Sequence, residues 1–448
     1  MPIPAELAAA CADVVPASDA DAIGGRQARW VAAPASTEEA SALLCAAAAL
    51  RLTVVPRGAG RLQHWGDPPD SCDLIVDTHR LDRIVEHVPG DLAVTVQAGV
   101  RLADLEQVVE AARQSLAILP PRRAYNGTVG GLIATNAAGS RRYRYGTPRD
   151  RLTGITVVRA DGAIVRSAEA VNVAGQDLVT LFAGSYGTLG LITEATFRLE
   201  PLQPVSGGAW LPCADPEDAA RLVGVVSDAW IAPSGIDLRW RAGGPLGLIV
   251  MIQGDRPGFQ ARSERLHALA GRPAPPPIDS ASARRLAASD QSGLPEAVAQ
   301  QLQAHRDRAR AELLDPPPDT GTLVRVSFPP AQLAAALTVI QAAAGGSGVA
   351  AAIEGSAGAG VLDVEVPAEA PAAAVARFVA ELRAELGRLS DAGAAPEAPR
   401  AVVVYAPDEV RSLTDTHGPV PSLALMLAVK DEFDPDHRMA PGRLAEAV

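Results

Sequence analysis

The chain has 448 residues, of which 48% are hydrophobic and 21% are charged, and its formal net charge is −12. This length can bury a large core divided over two or three domains. The acidic balance excludes nucleic acid as the main partner, because no basic stripe is present. Lys430 is the only lysine among the 40 basic residues, which excludes Schiff-base chemistry and a Walker lysine over nearly the whole chain.

The cysteines and the apolar segments bear on metals and on location. The four cysteines are scattered without a C-x-x-C pair, at Cys11, Cys45, Cys72 and Cys213. This spacing excludes an iron–sulfur or zinc-ribbon ligand set within the chain, and no metal is predicted. No basic segment precedes an apolar run near the first residue, and the apolar runs are too short for a membrane span. We therefore expect reduced thiols, no signal peptide, no transmembrane segment and a cytoplasmic location.

Turn residues and hydrophobic periodicity predict the elements of the first two hundred residues. Residues 1–25 are expected to form a short helix and a loose lead-in. A strand begins at Trp30, and Ser36 with Glu39 matches a capping box that opens a helix reaching about Leu50. The further elements predicted in this region are helices at 102–112 and 177–182 and strands at 52–55, 74–77, 83–88, 92–97, 155–158, 163–165 and 191–199.

Three glycine-rich turns lie between apolar segments in the same region. We call residues 56–60 the first turn, residues 128–139 the second turn and residues 184–190 the third turn. Glycine permits a positive φ and a close approach of the backbone, so N–H groups can point at phosphate oxygens. A single glycine turn usually only reverses the chain. Three turns in one half of the protein predict a long phosphate-bearing ligand held at several points.

The region from about residue 206 to residue 400 contains an internal repeat. Its first half reads β-α-β-β-α, and the same order recurs after a proline-rich stretch at 272–278. Such a unit places helices on one face of an antiparallel sheet and leaves the other face free to cover a neighbour. The predicted divisions are a lead-in at 1–25, a first domain at 26–204, a second domain at 205–405 and a returning C-terminal segment at 406–448.

A Rossmann dinucleotide domain is the first alternative for a glycine-rich ligand site, and the residues exclude it. That fold needs the pattern G-x-G-x-x-G directly after a strand. Gly58 and Gly60 supply its beginning, but Gln63 occupies the position of the third glycine. An NAD-binding domain of this kind is therefore not predicted.

The order of the three turns resembles the FAD-binding domain of the vanillyl-alcohol oxidase type, also called the para-cresol methylhydroxylase type. The likeness covers about residues 30–202. The family pattern R-G-x-G is matched at 57–60, T-[IV]-G-G-x-x-[AS]-x-N-x-x-G at 128–139 and G-S-x-G-x-L-G at 184–190. The resemblance implies an α+β protein. A two-part α/β FAD-binding domain is joined to an antiparallel-sheet cap built from the repeated β-α-β-β-α unit.

The resemblance implies that residues in and beside the three turns bind FAD. These are Pro56, Arg57, Gly58, Ala59, Gly60, Arg61 and Leu62 at the first turn, Thr128, Val129, Gly130, Gly131, Asn136, Gly139 and Ser140 at the second, and Gly184, Ser185, Gly187, Gly190 and Ile192 at the third. Covalent members of the family carry a histidine directly after the first turn. This chain has Arg61 there, and His64 lies three positions later. We therefore expect non-covalent FAD.

A narrower resemblance extends over the whole length of the chain. The runs at 139–150, 172–177 and 417–435 are similar to the smaller FAD-binding subunit of bacterial glycolate oxidase. This resemblance implies oxidation of glycolate or a similar small-molecule 2-hydroxy acid. It also implies two partners, a larger FAD subunit and an iron–sulfur subunit, which receive the electrons. A peripheral association with the membrane through that complex is compatible with the sequence.

The sequence indicates the residues for the chemical step less clearly than those for the cofactor. Oxidation of a 2-hydroxy acid requires a proton acceptor and a cation for the carboxylate. Arg141 and Arg142 follow the second turn and are the candidates for holding the carboxylate or the pyrophosphate, with solvated loop arginines as the alternative. The predicted cap supplies only His267 and His305, without an H-x-H motif, and each is expected at the surface rather than as a ligand.

Two other functions stay open at this point. One is an independent FAD-dependent dehydrogenase acting on another hydroxy acid. The other is a non-catalytic, flavin-bearing partner that stabilises a catalytic sibling or relays its electrons. The missing histidine motif in the cap favours the glycolate-oxidase-like subunit and the non-catalytic partner over the independent dehydrogenase.

Overall fold

The computed structural model describes residues 2–168, 178–270, 321–391 and 398–445. The proline-rich stretch at 272–278, the run at 172–177 and His305 lie outside the described residues. Among the described helices, none is both long enough and apolar enough to cross a membrane.

The contacts between residues divide the chain into two compact units. Unit 1 comprises Met1–Ala138, Gly146–Pro201 and Pro419–Val448, and unit 2 comprises Gly139–Tyr145 and Leu202–Gly418. This division joins the predicted lead-in at 1–25 to unit 1, moves the boundary at 204 to 201, and differs from the predicted one in two further segments. Residues 406–418, expected to return with the C-terminal segment, belong to unit 2. The short segment Gly139–Tyr145, which the predicted boundaries place in the first domain, also belongs to unit 2.

Unit 1 begins with helices packed on a small, mostly parallel sheet. Its elements are α1 (Ala5–Ala10), β1 (Val14–Pro16), β2 (Ala22–Ile23), β3 (Arg26–Gln27), β4 (Trp30–Ala32), α2 (Thr37–Ala49), β5 (Val54–Arg57) and β6 (Leu74–Asp77). The sheet order is β1-β4-β6-β5. β4, β6 and β5 run parallel, whereas β1 is antiparallel to β4. Leu43 and Leu44 of α2 share one buried cluster with Leu74 and Val76 of β6, so the helix covers the sheet with its apolar face.

The start of α2 confirms only half of the predicted capping box. Ser36 Oγ accepts the N–H of Glu39 at 3.1 Å, as the motif requires. The carboxylate of Glu39, however, accepts the N–H groups of Ala12 and Ala35, each at 2.7 Å. The reciprocal bond to Ser36 is replaced by a bond to a residue 27 positions away. A local pattern does not contain this information.

The second part of unit 1 is built around a five-stranded antiparallel sheet. The elements along this stretch are β7 (Ile84–Val88), β8 (Ala93–Gln97), α3 (Leu102–Ala111), β9 (Gln114–Ser115), α4 (Val129–Thr135), α5 (Arg142–Tyr145), α6 (Pro148–Arg151), β10 (Leu152–Val158), β11 (Ile164–Ala168), α7 (Leu178–Phe182), β12 (Leu191–Arg198) and β13 (Glu200–Pro201). α5 falls in unit 2. The sheet order is β11-β10-β12-β8-β7. The four-stranded and five-stranded sheets of unit 1 agree with the predicted two-part α/β domain.

Unit 2 contains a seven-stranded antiparallel sheet, and helices connect several of its strands along the sequence. Its elements are β14 (Val205–Pro212), α8 (Pro216–Asp228), β15 (Gly235–Trp240), β16 (Leu246–Gly254), α9 (Arg256–Ala270), β17 (Thr322–Ser327), α10 (Leu333–Ser347), β18 (Ala352–Ser356), β19 (Val361–Val366), α11 (Ala372–Asp391), β20 (Arg400–Tyr405) and α12 (Asp408–Arg411). The sheet order is β14-β16-β15-β18-β19-β17-β20. The predicted repeat is confirmed, because β14-α8-β15-β16-α9 and β17-α10-β18-β19-α11 follow the same order.

The sheet of unit 2 has an apolar face and a polar face. Ile236 and Leu238 of β15 are buried in the same cluster as Leu337 of α10 and Phe378 of α11. Since side chains alternate along a strand, Asp237 lies on the face opposite to this cluster. The helices of the repeat therefore cover one face of the sheet, as the sequence predicts.

The C-terminal segment of unit 1 is held by the one lysine of the chain. Helix α13 (Leu423–Phe433) carries Lys430, whose side chain is fully buried. Its Nζ donates to Asp434 Oδ2 and Thr188 O at 2.7 Å, and to Met439 O at 2.9 Å. Burial lowers the pKa of Lys430, which the Asp434 carboxylate opposes. These bonds join the C-terminal segment to the third glycine turn.

Candidate functional site

The three glycine turns line one cleft in unit 1, which we call the glycine cleft. It encloses about 790 Å³ of space that is open to solvent. The lining residues are Pro56, Arg57, Gly58, Ala59, Gly60, Arg61, Leu62, Gln63, Thr78, Ala124, Gly127, Thr128, Gly130, Gly131, Leu132, Ala134, Thr135, Tyr186, Gly187, Gly190, Leu191, Ile192 and Arg443. Turns that are 130 residues apart in sequence thus form the wall of a single site.

Glycine is required where the turns approach one another. A Cβ at Gly58 would stand 2.2 Å from Oγ1 of Thr128, which is closer than real Cβ atoms come. Gly187 has a φ of +79°, and a Cβ there would stand 3.1 Å from Pro56. The first turn therefore packs on both of the other turns without room for a side chain.

Backbone hydrogen bonds fix the second and third turns beside the cleft. Gly130 N–H donates to Ala98 O at 2.7 Å, and Thr128 Oγ1 accepts the N–H of Gly131 at 3.3 Å. The third turn docks on α4, since Tyr186 N–H donates to Ala134 O at 2.8 Å. The N–H groups at the start of α4 are consequently engaged within the protein.

The first turn differs, because the N–H groups from Gly58 to Arg61 have no acceptor among the described residues. The N–H groups of residues 58–61 donate to no carbonyl and to no side chain of the described chain. Among the described residues, Arg61 Nε also has no hydrogen-bond partner. A row of unsatisfied N–H groups beside a guanidinium suits a phosphate or another anion.

Arg57, in contrast, directs its charge into the protein. Its Nη1 lies 2.7 Å from Asp21 Oδ1, and its Nε lies 3.0 Å from Asp77 Oδ2. The Arg57 guanidinium holds the pKa of Asp21 at about 2, below its usual range. The side chain of Arg57 therefore anchors the base of the first turn, although Arg57 also lines the cleft.

The predicted cofactor residues divide into those that line the cleft and those that do not. The first group comprises Pro56, Arg57, Gly58, Ala59, Gly60, Arg61, Leu62, Thr128, Gly130, Gly131, Gly187, Gly190 and Ile192. Val129 is fully buried in α4. Asn136 ends α4 with a φ of +45°, and its Oδ1 accepts the N–H of Arg149. Gly139 and Ser140 belong to unit 2.

Gly184 and Ser185 line a second cleft of unit 1, between α7 and α13. This space of about 1410 Å³ is bordered mainly by apolar side chains, among them Leu181, Leu189 and Leu425. The third turn thus separates two clefts, with Gly187 in the wall of one and Gly184 in the wall of the other.

Several residues that line the glycine cleft were not among the cofactor residues predicted from the sequence. These are Gln63, Thr78, Ala124, Gly127, Leu132, Ala134, Thr135, Tyr186, Leu191 and Arg443. Most of them adjoin a predicted residue, so wider bounds around each turn would include them. Arg443 comes from the far end of the chain, and no local pattern places it here.

The candidates for the chemical step lie in unit 2. Arg141 and Arg142 fall in the segment Gly139–Tyr145, and neither lines the glycine cleft. In the same unit, Ser140 Oγ donates to Asp237 Oδ2 of β15 in a short hydrogen bond. Burial raises the pKa of Asp237 to about 6, and Glu354 adds to this rise, whereas Ser140 and Arg239 oppose it. Sequence analysis did not single out Asp237.

The histidine of the cap that the structure describes is not at the surface. His267 lies on α9 and is 8% exposed, which corrects the expectation of a surface residue. Burial lowers the pKa of His267, because a charged imidazole is disfavoured away from water. Among the described residues, no group of three or more His, Cys, Asp or Glu side chains is arranged to hold a metal ion.

Comparison with known proteins identifies the fold. Residues 28–168 match the family model of the FAD binding domain. The solved structure of p-cresol methylhydroxylase with substrate bound is similar, with a TM-score of 0.67 at 15% identity over 98% of this chain and 95% of that chain. Alkyldihydroxyacetonephosphate synthase gives a TM-score of 0.58 at 14% identity, over 93% and 76% of the two chains. This is the fold of the p-cresol methylhydroxylase type.

Curated relatives are similar over part of the chain. Glycolate oxidase subunit GlcD of Bacillus subtilis (strain 168) is 38% identical over 174 residues, 38% of this chain and 37% of that protein. GlcD of Escherichia coli (strain K12) is 32% identical over 210 residues, with 46% and 42% covered. D-lactate dehydrogenase of Archaeoglobus fulgidus is 34% identical over 195 residues, 43% of each protein. The matches span less than half of each relative. Residues 28–168 thus match an FAD binding domain, and the chain has the fold of p-cresol methylhydroxylase, in agreement with the predicted resemblance.

The glycine cleft fits FAD on its own geometry. Among the described residues, the N–H groups of residues 58–61 have no acceptor and Arg61 Nε has no hydrogen-bond partner, and both are suited to the pyrophosphate. The absence of a side chain at Gly58 lets the first turn lie directly against Thr128, so that both turns line the same cleft. His64 is not among the residues that line the cleft. These observations agree with FAD held by backbone donors and one cation.

Proposed function

We propose that the chain is the FAD-binding subunit of a glycolate-oxidase-like dehydrogenase, which oxidises a small 2-hydroxy acid and passes electrons to partner subunits. The observation that carries this proposal is the glycine cleft, whose N–H row at residues 58–61 is suited to the pyrophosphate of FAD. Relatives named glycolate oxidase subunit and D-lactate dehydrogenase support the substrate class. The larger FAD subunit, the iron–sulfur subunit and the cytoplasmic location remain part of the proposal.

The residues of the cleft have separate tasks in this proposal. FAD, when bound, supplies the acceptor for the two electrons that leave the substrate carbon. The N–H groups of residues 58–61 and the guanidinium of Arg61 bind the pyrophosphate. Arg57 keeps the turn in place through Asp21 and Asp77. The remaining predicted residues of the second and third turns stay candidates for contact with the cofactor.

The substrate carboxylate needs a cation, and the chain offers two candidates. These are Arg141 and Arg142, which lie in the segment Gly139–Tyr145 of unit 2. A guanidinium binds a carboxylate through two parallel hydrogen bonds, which also orients the adjoining carbon. Replacing either arginine by glutamine should raise KM for a 2-hydroxy acid more than it lowers kcat, if the side chain binds the carboxylate in the ground state.

An absorption spectrum of the purified chain tests the cofactor assignment. We expect flavin bands that pass into the supernatant when the protein is denatured and precipitated, because we propose non-covalent FAD. Flavin that stays in the precipitate contradicts the non-covalent assignment. A preparation that neither carries flavin nor takes up added FAD contradicts the proposed function itself.

Anaerobic reduction tests the substrate class. Glycolate and D-lactate are added separately to the flavin-loaded chain, with L-lactate as the stereochemical control. If the chain works as a subunit of a complex, we expect its flavin absorption to bleach only, or much faster, when the partner subunits are co-expressed. Rapid bleaching of the isolated chain favours the independent dehydrogenase, for which the relative named D-lactate dehydrogenase is the specific support. Absence of bleaching even in the complex contradicts the proposed substrate class.

A further inference from the structure

We propose that Arg443, near the end of the chain, is a positioning residue for cofactor binding. Its side chain holds the loop that follows the first turn and so keeps the N–H groups of residues 58–61 arranged for the pyrophosphate. The inference rests on the proposed role of the glycine cleft as the FAD site. Arg443 is 3% exposed and lines this cleft.

The contact that carries the inference is a clamp on two carbonyl groups. Arg443 Nη2 donates to Gln63 O at 2.9 Å and to Trp65 O at 2.5 Å. Hydrogen bonds from a charged donor are shorter and stronger than neutral ones. The guanidinium therefore gathers two oxygens of the loop on its own side. Just upstream, the N–H groups of residues 58–61 donate to no described residue, and they are left for an anion.

Strand geometry explains why the end of the chain reaches this loop. Met439 forms a parallel bridge with Val54 of β5, whose N–H donates to Arg438 O at 2.8 Å. Ala440 N–H in turn donates to Val54 O at 2.7 Å. Because the pairing at the first residue of β5 is parallel, the C-terminal segment continues from it in the same direction as β5, towards the first turn. Arg443 follows three residues later.

The backbone at Arg443 is fixed independently of its side chain. Asp70 N–H donates to Pro441 O at 2.8 Å, and Asp67 N–H donates to Arg443 O at 3.2 Å. Gly442 has a φ of +79°, and a Cβ there would stand 2.6 Å from the Asp70 carboxylate. A substitution at position 443 should therefore remove the carbonyl clamp while the C-terminal segment stays docked.

The test compares three variants of the full chain by their FAD dissociation constants, read from the quenching of flavin fluorescence. Arg443→Met keeps the length of the side chain but donates no hydrogen bond, and we expect FAD to bind at least tenfold more weakly. Arg443→Lys retains a buried donor for the same carbonyls and should restore binding to within about threefold of the parent. Arg438→Met is the matched control, because Arg438 is also buried in the C-terminal segment but donates to Leu52 O and Ala160 O.

Ligand choice separates positioning from a general loss of structure. ADP carries the pyrophosphate and riboflavin does not, so Arg443→Met should weaken ADP as much as FAD and leave riboflavin binding within about twofold. The inference is overturned if Arg438→Met and Arg443→Met raise the FAD dissociation constant equally. It is also overturned if Arg443→Lys binds FAD weakly or fails to fold. Failure of the parent chain to bind FAD contradicts the proposed function instead.

Discussion

Gly58 lies directly against Thr128, and the contact couples two turns of the glycine cleft. A Cβ at Gly58 would stand 2.2 Å from Thr128 Oγ1. The same oxygen accepts the N–H of Gly131 at 3.3 Å and caps α4. A side chain at position 58 would therefore displace the residue that starts the helix of the second turn.

Gly58→Ala should weaken both folding and cofactor binding. The added methyl group must push Thr128 Oγ1 aside, and overpacking of this kind costs about 1–3 kcal/mol. We expect a lower urea midpoint and a larger FAD dissociation constant. Gly58→Ala combined with Thr128→Ala removes the clashing oxygen, so the double variant should lose less stability than the two single losses added together.

Gly224→Ala serves as the control for this prediction. Gly224 lies in α8, and a Cβ there would meet nothing within 4 Å. Alanine in a helix interior is favoured over glycine by about 0.5–1 kcal/mol, so this variant should be slightly stabilised. Equal effects at positions 58 and 224, or strict additivity with Thr128→Ala, would contradict the packing argument.

Lys430→Met should be among the most destabilising single changes in unit 1. It leaves the fully buried carboxylate of Asp434 without its cation, and breaking a buried ion pair from one side costs about 3–5 kcal/mol. Urea unfolding followed by tryptophan fluorescence measures the loss. Adding Asp434→Asn removes the stranded charge, and the double variant should regain part of the stability. A double variant as unstable as the sum of both changes would refute this account.

Asp237 should make the stability of unit 2 decrease as the pH rises from about 4 to 6. The folded state holds the pKa of this carboxyl at about 6, against 3.8 as its ordinary value, so the folded state binds the proton more tightly than the unfolded state. Ionisation above pH 6 then carries a penalty on the order of 3 kcal/mol. Asp237→Asn can still accept from Ser140 and should gain stability relative to the parent across this pH range. A pH-independent difference between the two proteins would contradict the assignment.

Asp21 should act in the opposite direction and at lower pH. Its pKa of about 2 lies below the ordinary value of 3.8, so its contribution is present above about pH 4 and is lost as the pH falls towards 2. Asp21→Asn should cost on the order of 1–2 kcal/mol at pH 7, with the difference disappearing near pH 2. Asp19→Asn, which removes an exposed charge two residues away, is the control and should change little at either pH.

Local patterns accounted for the scaffold of the cleft. The glycines at 58, 130 and 187 are predicted because each turn has its own short signature, and the structure brings these turns together. The β-α-β-β-α repeat of unit 2 was equally accessible, since hydrophobic periodicity is a property of neighbouring residues.

Contacts between distant residues were not accessible in this way. Arg57 was predicted as a cofactor ligand from its motif alone, but its charge is shared with Asp21 and Asp77. The clamp from Arg443 to Gln63 joins residues 380 positions apart. The spacing of residues along the sequence shows neither the partner of a buried charge nor the strand that positions it. These features are visible only in the folded chain.

The enclosure of Lys430 has a consequence for anyone who handles this protein. With no other lysine in the sequence, the native fold presents no ε-amino group to acylating reagents, ubiquitin ligases or amine-coupling surfaces. Its Nζ is released only when α13 separates from the third turn. The side chain is therefore a built-in reporter: acylation of Lys430 would count the molecules whose C-terminal segment has come loose.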